Sequence, residues 1–148
     1  MSSFANPIIL SFSPLVPTGC SILVYGFTFY VKWDDETDYV EVPALMTTDG
    51  LSMPKALMFL FRKYDSRTIK AALVHDYLYK FRVVKSTVNP AHVCTRKEAD
   101  VIFYKAILLG CRSDKGYRKT SWKIRCLLAY YALRVFGGFA WSRHRKCQ

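Results

Sequence analysis

Two neighbouring ionisable residues interrupt an apolar stretch of the chain. The stretch "AALVHDYLY" places His75 and Asp76 side by side among aliphatic and aromatic residues. A second acidic residue, Asp100, lies in the similarly apolar "RKEADVIFYKAIL". A carboxylate beside an imidazole fixes its tautomer and orientation, and stabilises the cation that forms when the ring takes up a proton. These residue types would allow a site in which Asp100 orients His75 and supports its protonated form.

Two predicted helices must bring these groups together. The first spans about 67–82, with Asp65 or Ser66 as its N-cap. The second contains Asp100, and if the two helices run antiparallel, its carboxylate can approach His75.

The start of the second helix carries its own signal. Thr95 is followed three residues later by Glu98, which is a capping box. The helix is predicted to run to about Leu109, where Gly110 ends it.

Asp76 is a candidate ligand for a hard cation. It lies about 100° around the helix from His75. Its carboxylate would then be helped by carbonyl oxygens of a glycine-containing loop such as "TDGLS".

A structural interpretation competes with this site. His-Asp dipeptides arise by chance, Asp100 could be an ordinary helix-face charge, and Asp49 an ordinary turn residue. Four features nevertheless occur together and in order: Asp-Gly-x-Ser, His-Asp-x-x-Tyr, the capping box, and Ala-Asp-x-x-Phe. Their combination favours a functional site.

The rest of the chain predicts one domain, 1–148, mainly α with an N-terminal β-hairpin (α+β). Residues 1–46 form an extended arm and the hairpin, whose strands 21–33 and 39–46 flank an acidic turn. Residues 47–110 carry the loop and the helix pair. Residues 111–148 supply a basic loop, a helix over 121–136 and a tail. Three smaller predictions complete this division. Residues 55–64 form a short helix, residues 83–94 form a loop that connects the two site helices, and Gly137-Gly138 end the last helix.

Charge and cysteine content limit the partners and the compartment. Lys and Arg outnumber Asp and Glu by 22 to 11, so the net charge of +11 favours an anionic partner. The odd number and scattered spacing of the cysteines favour reduced thiols in a cytosol; they are Cys20, Cys94, Cys111, Cys126 and Cys147. The first residues lack a basic region, so no signal peptide is predicted.

The order of motifs resembles a family of uncharacterised small proteins of phage and prophage genomes. The similar segments are "TDGLSMP", "AALVHDYLY", "RKEADVIF" and "RVFGGFAW", and the resemblance covers about residues 40–141. It implies a phage-encoded protein located in the host cytoplasm, in the virion, or in both.

The same core also resembles the phospholipase A2 superfamily, especially its bacterial/fungal and parvoviral branches. That resemblance implies an antiparallel helix pair and hydrolysis of a phospholipid acyl ester. It makes His75 the general base, Asp100 its orienting partner and Tyr79 a hydrogen-bond donor to Asp100. It also implies a Ca²⁺ ion that would polarise the ester carbonyl. The ligands of that ion would be Asp76 and backbone carbonyls near Asp49, Gly50 and Leu51.

The C-terminal part of the chain combines apolar and basic residues. Residues 126–141 contain one charge, Arg134, and are predicted to form a core helix. An interfacial segment is the alternative. Its flanking cations would contact membrane headgroups: Lys119, Lys123, Arg125, Arg143, Arg145 and Lys146. The same cations and nearby aromatic residues could instead bind nucleic acid. This partner ranks lower because the sequence contains no recognised nucleic-acid-binding motif.

Phospholipid hydrolysis during phage entry or lysis is therefore the leading functional hypothesis, with a phospholipid surface or other virion proteins as partners. One alternative is a structural protein of the virion or tail with a silent site. A metal-dependent phosphodiesterase ranks third, because no histidine precedes His75.

Overall fold

A computed structural model describes most of the chain. The described residues are 3–4, 9–11, 21–32, 37–48, 61, 68–88, 90–112 and 119–143. Their elements follow in chain order: β1 (Ser3–Phe4), β2 (Leu10–Ser11), β3 (Ser21–Leu23), β4 (Phe27–Lys32), β5 (Thr37–Val42), β6 (Thr47–Thr48), α1 (Ile69–Phe81), β7 (Val83–Ser86), β8 (His92–Val93), α2 (Arg96–Arg112) and α3 (Lys119–Arg143).

Strands β4 and β5 form the predicted hairpin, which is confirmed. They pair antiparallel from Phe27 opposite Val42 to Lys32 opposite Thr37. Alternate residues of β4 are buried, as expected for a strand with one face on the core. This hairpin is the centre of a five-stranded sheet with the order β1-β4-β5-β7-β8.

A second, three-stranded sheet has the order β2-β3-β6. The predicted single strand over 21–33 is therefore wrong, because it divides into β3 and β4, which belong to different sheets. Gly26 lies at the break, where a Cβ atom would be 2.8 Å from the carbonyl oxygen of Val42. Only a residue without a side chain fits so close to the neighbouring backbone.

The three helices pack in sequence, α1 on α2 and α2 on α3. Helix α1 is almost entirely buried along "AALV", and α2 buries residues at helical spacing such as Ala99, Phe103 and Ala106. No disulfide joins the buried thiols of Cys94, Cys111 and Cys126. Among the helices that the structure describes, none has the length and apolar character needed to cross a bilayer.

The predicted fold class is wrong. The chain is not mainly α with a phospholipase A2-like helix pair, because its strands build two antiparallel sheets beside the three helices. A lone hairpin leaves backbone groups unpaired along both edges. Here β1 pairs with β4, and β7 pairs with β5, so both outer edges of the hairpin gain partners. These added strands are too short to show a sequence pattern.

Several local predictions also need correction. The connection over 83–94 contains β7 and β8, which pair with each other. Helix α1 has Thr68 at its N-cap, instead of Asp65 or Ser66. Helix α2 continues past Gly110 to Arg112. The predicted helix over 55–64 lies almost wholly outside the described residues.

Helix α3 does not end at Gly137-Gly138 but runs through both glycines to Arg143. Both positions pack closely against neighbouring side chains. Tertiary contact therefore outweighs the weak helix propensity of glycine at this point.

Candidate functional site

Helices α1 and α2 run antiparallel and bring the predicted site residues together. Tyr79 contacts Asp100. His75, one turn earlier in α1, packs edge-on against Phe103, almost one turn later in α2. The capping box that starts α2 is confirmed, because Thr95 Oγ1 accepts from the Glu98 amide and Glu98 accepts from the Thr95 amide. The capping box therefore fixes the start of α2 five residues before Asp100.

Asp100 is the centre of the site. Its side chain is fully buried, yet four polar groups surround it. Oδ1 lies 3.3 Å from His75 Nε2 and accepts a 2.7 Å hydrogen bond from the Tyr79 hydroxyl. Oδ2 accepts a 2.8 Å hydrogen bond from Arg134 Nη1 and lies 3.8 Å from Arg96 Nε. A buried carboxylate is stable in the charged form only with partners of this kind.

The protonation states follow from these contacts. Burial by itself would raise the pKa of Asp100, but hydrogen bonds from His75, Arg134 and Tyr79 outweigh it, so the pKa lies below its usual 3.8. For Tyr79, burial and the hydrogen bond to Asp100 both raise the pKa above its usual 10.0. Near neutral pH, Asp100 is therefore an anion and Tyr79 a neutral donor.

The His75 ring is held in one orientation. It packs 3.9 Å from the Tyr79 ring and 5.2 Å from the Phe103 ring, measured between centroids. Because Asp100 is ionised, we assign the imidazole proton to Nε2, which donates to Oδ1. Nδ1 then carries a lone pair, and 10% of the side chain is open to solvent. The arrangement can accept a proton from a water molecule.

Asp76 is half-buried and is tied to the second sheet. Its Oδ2 accepts a 2.6 Å hydrogen bond from Thr48 Oγ1. Thr48 pairs with Ser21 across the strands, so both side chains share one face of the sheet. The Ser21 hydroxyl is fully buried and has no hydrogen-bond partner among the described residues. The Asp76 carboxylate is therefore anchored to the second sheet, one residue away from His75 in the chain.

The other predicted calcium ligands cannot be placed. Asp49, Gly50 and Leu51 lie outside the described residues, although Thr48, which precedes them, touches Asp76. Within the described part of the chain, no cluster of three or more His, Cys, Asp or Glu residues could hold a metal ion.

The glycine pair of α3 lies against the same site. A Cβ at position 137 would be 2.7 Å from the Tyr79 hydroxyl oxygen, and one at position 138 would be 2.8 Å from Arg96 Nη1. Arg96 Nη2 also donates to the carbonyl oxygens of Leu133 and Arg134. The two glycines therefore allow α3 to approach both α1 and α2.

We expect Gly137→Ala to lower the free energy of unfolding by about 1–2 kcal/mol, although alanine favours helix by about 1 kcal/mol. The new methyl group meets a Tyr79 hydroxyl that Asp100 holds in place. Gly138→Ala is the matched control, because its methyl group meets Arg96 Nη1 at the end of a long side chain, which can shift more easily than the Tyr79 ring even though Nη2 bonds two carbonyl groups. Urea unfolding of both variants measures the difference, and equal stability would contradict this account.

The six predicted headgroup contacts are only partly described. Lys123 is exposed, and Arg125 is half-buried with its guanidinium 4.9 Å from the Trp122 ring centroid. The side chains at the two ends of α3 and in the tail lie outside the described part: Lys119, Arg143, Arg145 and Lys146.

Sequence reasoning missed the groups that α3 contributes. Arg134, Gly137, Gly138 and Trp141 follow one another at helical spacing, and the Trp141 ring stacks on Tyr79 edge to face. Arg134 was visible as the one charge in an apolar stretch. A lone charge in such a helix needs a partner, and this signal could have linked it to Asp100.

Comparison with known proteins gives one family. The model of a family described as Protein of unknown function (DUF1353) matches residues 27–123, which is more than half of the chain. No curated protein matches the chain. No solved structure matches it either. The matched range contains His75, Tyr79 and Asp100. Because the match covers more than half of its length, the chain belongs to the DUF1353 family.

Proposed function

We propose that this chain is a phage-encoded hydrolase that cleaves phospholipid acyl esters, with His75 as the general base. The observation that carries the proposal is the contact between His75 Nε2 and the buried Asp100 carboxylate, with Nδ1 left to accept a proton. A general base must be held in one tautomer and orientation and must reach water. The contact with Asp100 and the packing against the Tyr79 and Phe103 rings support the first requirement, and the 10% exposure of the His75 side chain supports the second.

In the proposed reaction, His75 Nδ1 takes a proton from water as the water oxygen bonds to the ester carbonyl carbon. The tetrahedral intermediate then collapses, the bond from carbon to the glycerol oxygen breaks, and the imidazolium returns the proton to the leaving oxygen. Asp100 keeps the ring oriented and stabilises its charged form. Tyr79 and Arg134 keep Asp100 ionised and in place.

Calcium is part of the proposal. The Asp76 carboxylate and the Thr48 hydroxyl that is hydrogen-bonded to it offer hard oxygen ligands of the kind that Ca²⁺ prefers. Asp76 would hold the ion together with backbone carbonyls near Asp49, Gly50 and Leu51. When bound there, Ca²⁺ would supply positive charge for the oxyanion.

The substrate class rests on the residue pattern and on charge. The order of motifs resembles phospholipase A2 sequences, while the fold differs from theirs. The net charge of +11 favours an anionic surface, and phospholipid membranes present one. Action during phage entry or lysis belongs to the same proposal.

A structural protein of the virion with a silent site is the second candidate. The specific observation that favours it is that Arg134 and Arg96 both neutralise Asp100. Buried carboxylates that serve only stability are satisfied in the same way.

The assay is incubation of the purified chain with phosphatidylglycerol vesicles, in calcium or in a chelator. Mass spectrometry would then measure fatty acid and lysophospholipid. We expect both products in calcium, in equal amounts, and none in chelator. Failure to form either product in calcium would favour the structural candidate.

Asp76→Asn is expected to raise the calcium concentration for half-maximal turnover by about tenfold or more, because it removes the one charged ligand proposed. Glu41→Gln is the matched control, since Glu41 lies on the surface of β5 and pairs with Lys85. A calcium titration that is the same for both variants would remove Asp76 from the metal site.

A further inference from the structure

Helix α3 carries large apolar residues on two opposite sides, and the described residues of the protein cover one of these sides. Its inner side packs on α1 and α2, and Cys126, Leu133 and Gly137 are buried there. Its other side exposes seven large apolar residues, each between 41% and 71% exposed. We call these the outer face of α3: Ile124, Leu127, Leu128, Tyr131, Val135, Phe136 and Phe139.

The spacing of these residues defines a continuous surface. They recur at intervals of three and four positions, so they lie on one side of a helix with 3.6 residues per turn. Contiguous exposed apolar surface of this kind is uncommon on a soluble monomer and marks an interaction site.

The charge around the outer face selects the partner. Helix α3 contains no Asp or Glu, and its cations include the exposed Lys123 and the half-buried Arg125. Lys119 and Arg143 lie at its two ends. Apolar residues flanked by cations are the pattern of helices that lie in the surface of an anionic bilayer. A second copy of the chain also carries a net charge of +11, and repulsion between two such chains opposes dimerisation.

We propose that the outer face of α3 docks onto an anionic phospholipid surface, with its apolar residues among the acyl chains and its cations at the headgroups. The inference is independent of the chemistry at His75. Asp100 meets Arg134 at the flank of α3, whereas the outer face points away from α1 and α2. Docking and hydrolysis can therefore succeed or fail separately.

Vesicle flotation tests the proposal on the full chain. The vesicles contain phosphatidylcholine alone or phosphatidylcholine with phosphatidylglycerol. Val135→Gln/Phe139→Gln replaces two of the most exposed apolar residues with glutamine, which is polar and favours helix. Val88→Gln/Val93→Gln is the matched control, because it removes similarly exposed residues away from α3. Circular dichroism checks that both variants fold.

The original chain and the control variant are expected to float with anionic vesicles and to be released by salt. The α3 variant should lose at least about tenfold in partition coefficient, because two apolar side chains no longer leave water. Repeating the experiment in chains with His75→Ala separates binding from turnover.

Three results would overturn the proposal. The first is no flotation with anionic vesicles, and the second is equal flotation of the two variants. The third is a dimer, seen by analytical ultracentrifugation, that the α3 variant dissociates, since the outer face would then belong to a second copy.

Discussion

Replacing His75 with alanine should lower the rate of ester hydrolysis about 10²–10⁴-fold, the range that a positioned general base contributes. The variant loses the only group at the site proposed to take the proton from water. It also loses ring contacts with Tyr79 and Phe103, so the rate must be expressed per folded molecule. Initial rates on phosphatidylglycerol vesicles, together with the folded fraction from circular dichroism, give that value.

His92→Ala is the matched control for this experiment. His92 also pairs with a carboxylate, Glu98, but it lies on the exposed strand β8. The control should keep its turnover. His75→Gln keeps most of the side-chain volume and should be as inactive as His75→Ala. Turnover that survives in both His75 variants would exclude the proposed base.

Asp100→Ala should lower the free energy of unfolding by about 3 kcal/mol, near the low end for breaking a buried ion pair. The loss leaves His75, Tyr79 and the guanidinium of Arg134 without their shared acceptor. Because a third of the Arg134 side chain is exposed to solvent, water can replace part of the hydrogen bonding that Arg134 loses with Asp100. Urea unfolding at neutral pH measures the change.

A double-mutant cycle with Arg134→Met tests whether the two residues act together. If the contact at 2.8 Å carries much of the effect, the double variant should be more stable than the sum of the single changes predicts. Strict additivity would show that Asp100 contributes through His75 and Tyr79 instead.

The same carboxylate makes the stability depend on pH. The pKa of Asp100 is lower in the folded chain than its usual 3.8, so the unfolded chain binds the proton first as acid is added. Its stabilising contribution is therefore complete above that usual value and is lost as the pH falls through the folded pKa. Asp100→Asn should remove this part of the acid sensitivity, and unchanged acid unfolding would contradict it.

Local signals in the sequence were strong enough to predict several elements. The first helix was predicted over 67–82 and is observed as Ile69–Phe81, because apolar residues recur there without a breaker. The capping box at Thr95 needs residues only three positions apart. The hairpin of β4 and β5 also shows a pattern within one short stretch.

Pairing between distant segments was not predictable in this way. Strands of two to four residues, such as β1 and β7, carry no periodicity, and they form because the hairpin offers them unpaired backbone groups. The glycine pair of α3 gave a clear local signal for a helix end. In the structure, the helix continues through both glycines because they allow it to pack closely against Tyr79 and Arg96.

The site shows the same division. Residue types and helical spacing were enough to single out His75 and Asp100, whereas the hydrogen bond from Tyr79 to Asp100 was expected only from the phospholipase A2 resemblance. The arginine that neutralises Asp100 comes from a third helix, 34 positions away, and Thr48 reaches Asp76 from a strand. These partners are chosen by the need to satisfy a buried charge in three dimensions. That requirement depends on which segments the fold brings together, and sequence spacing does not record it.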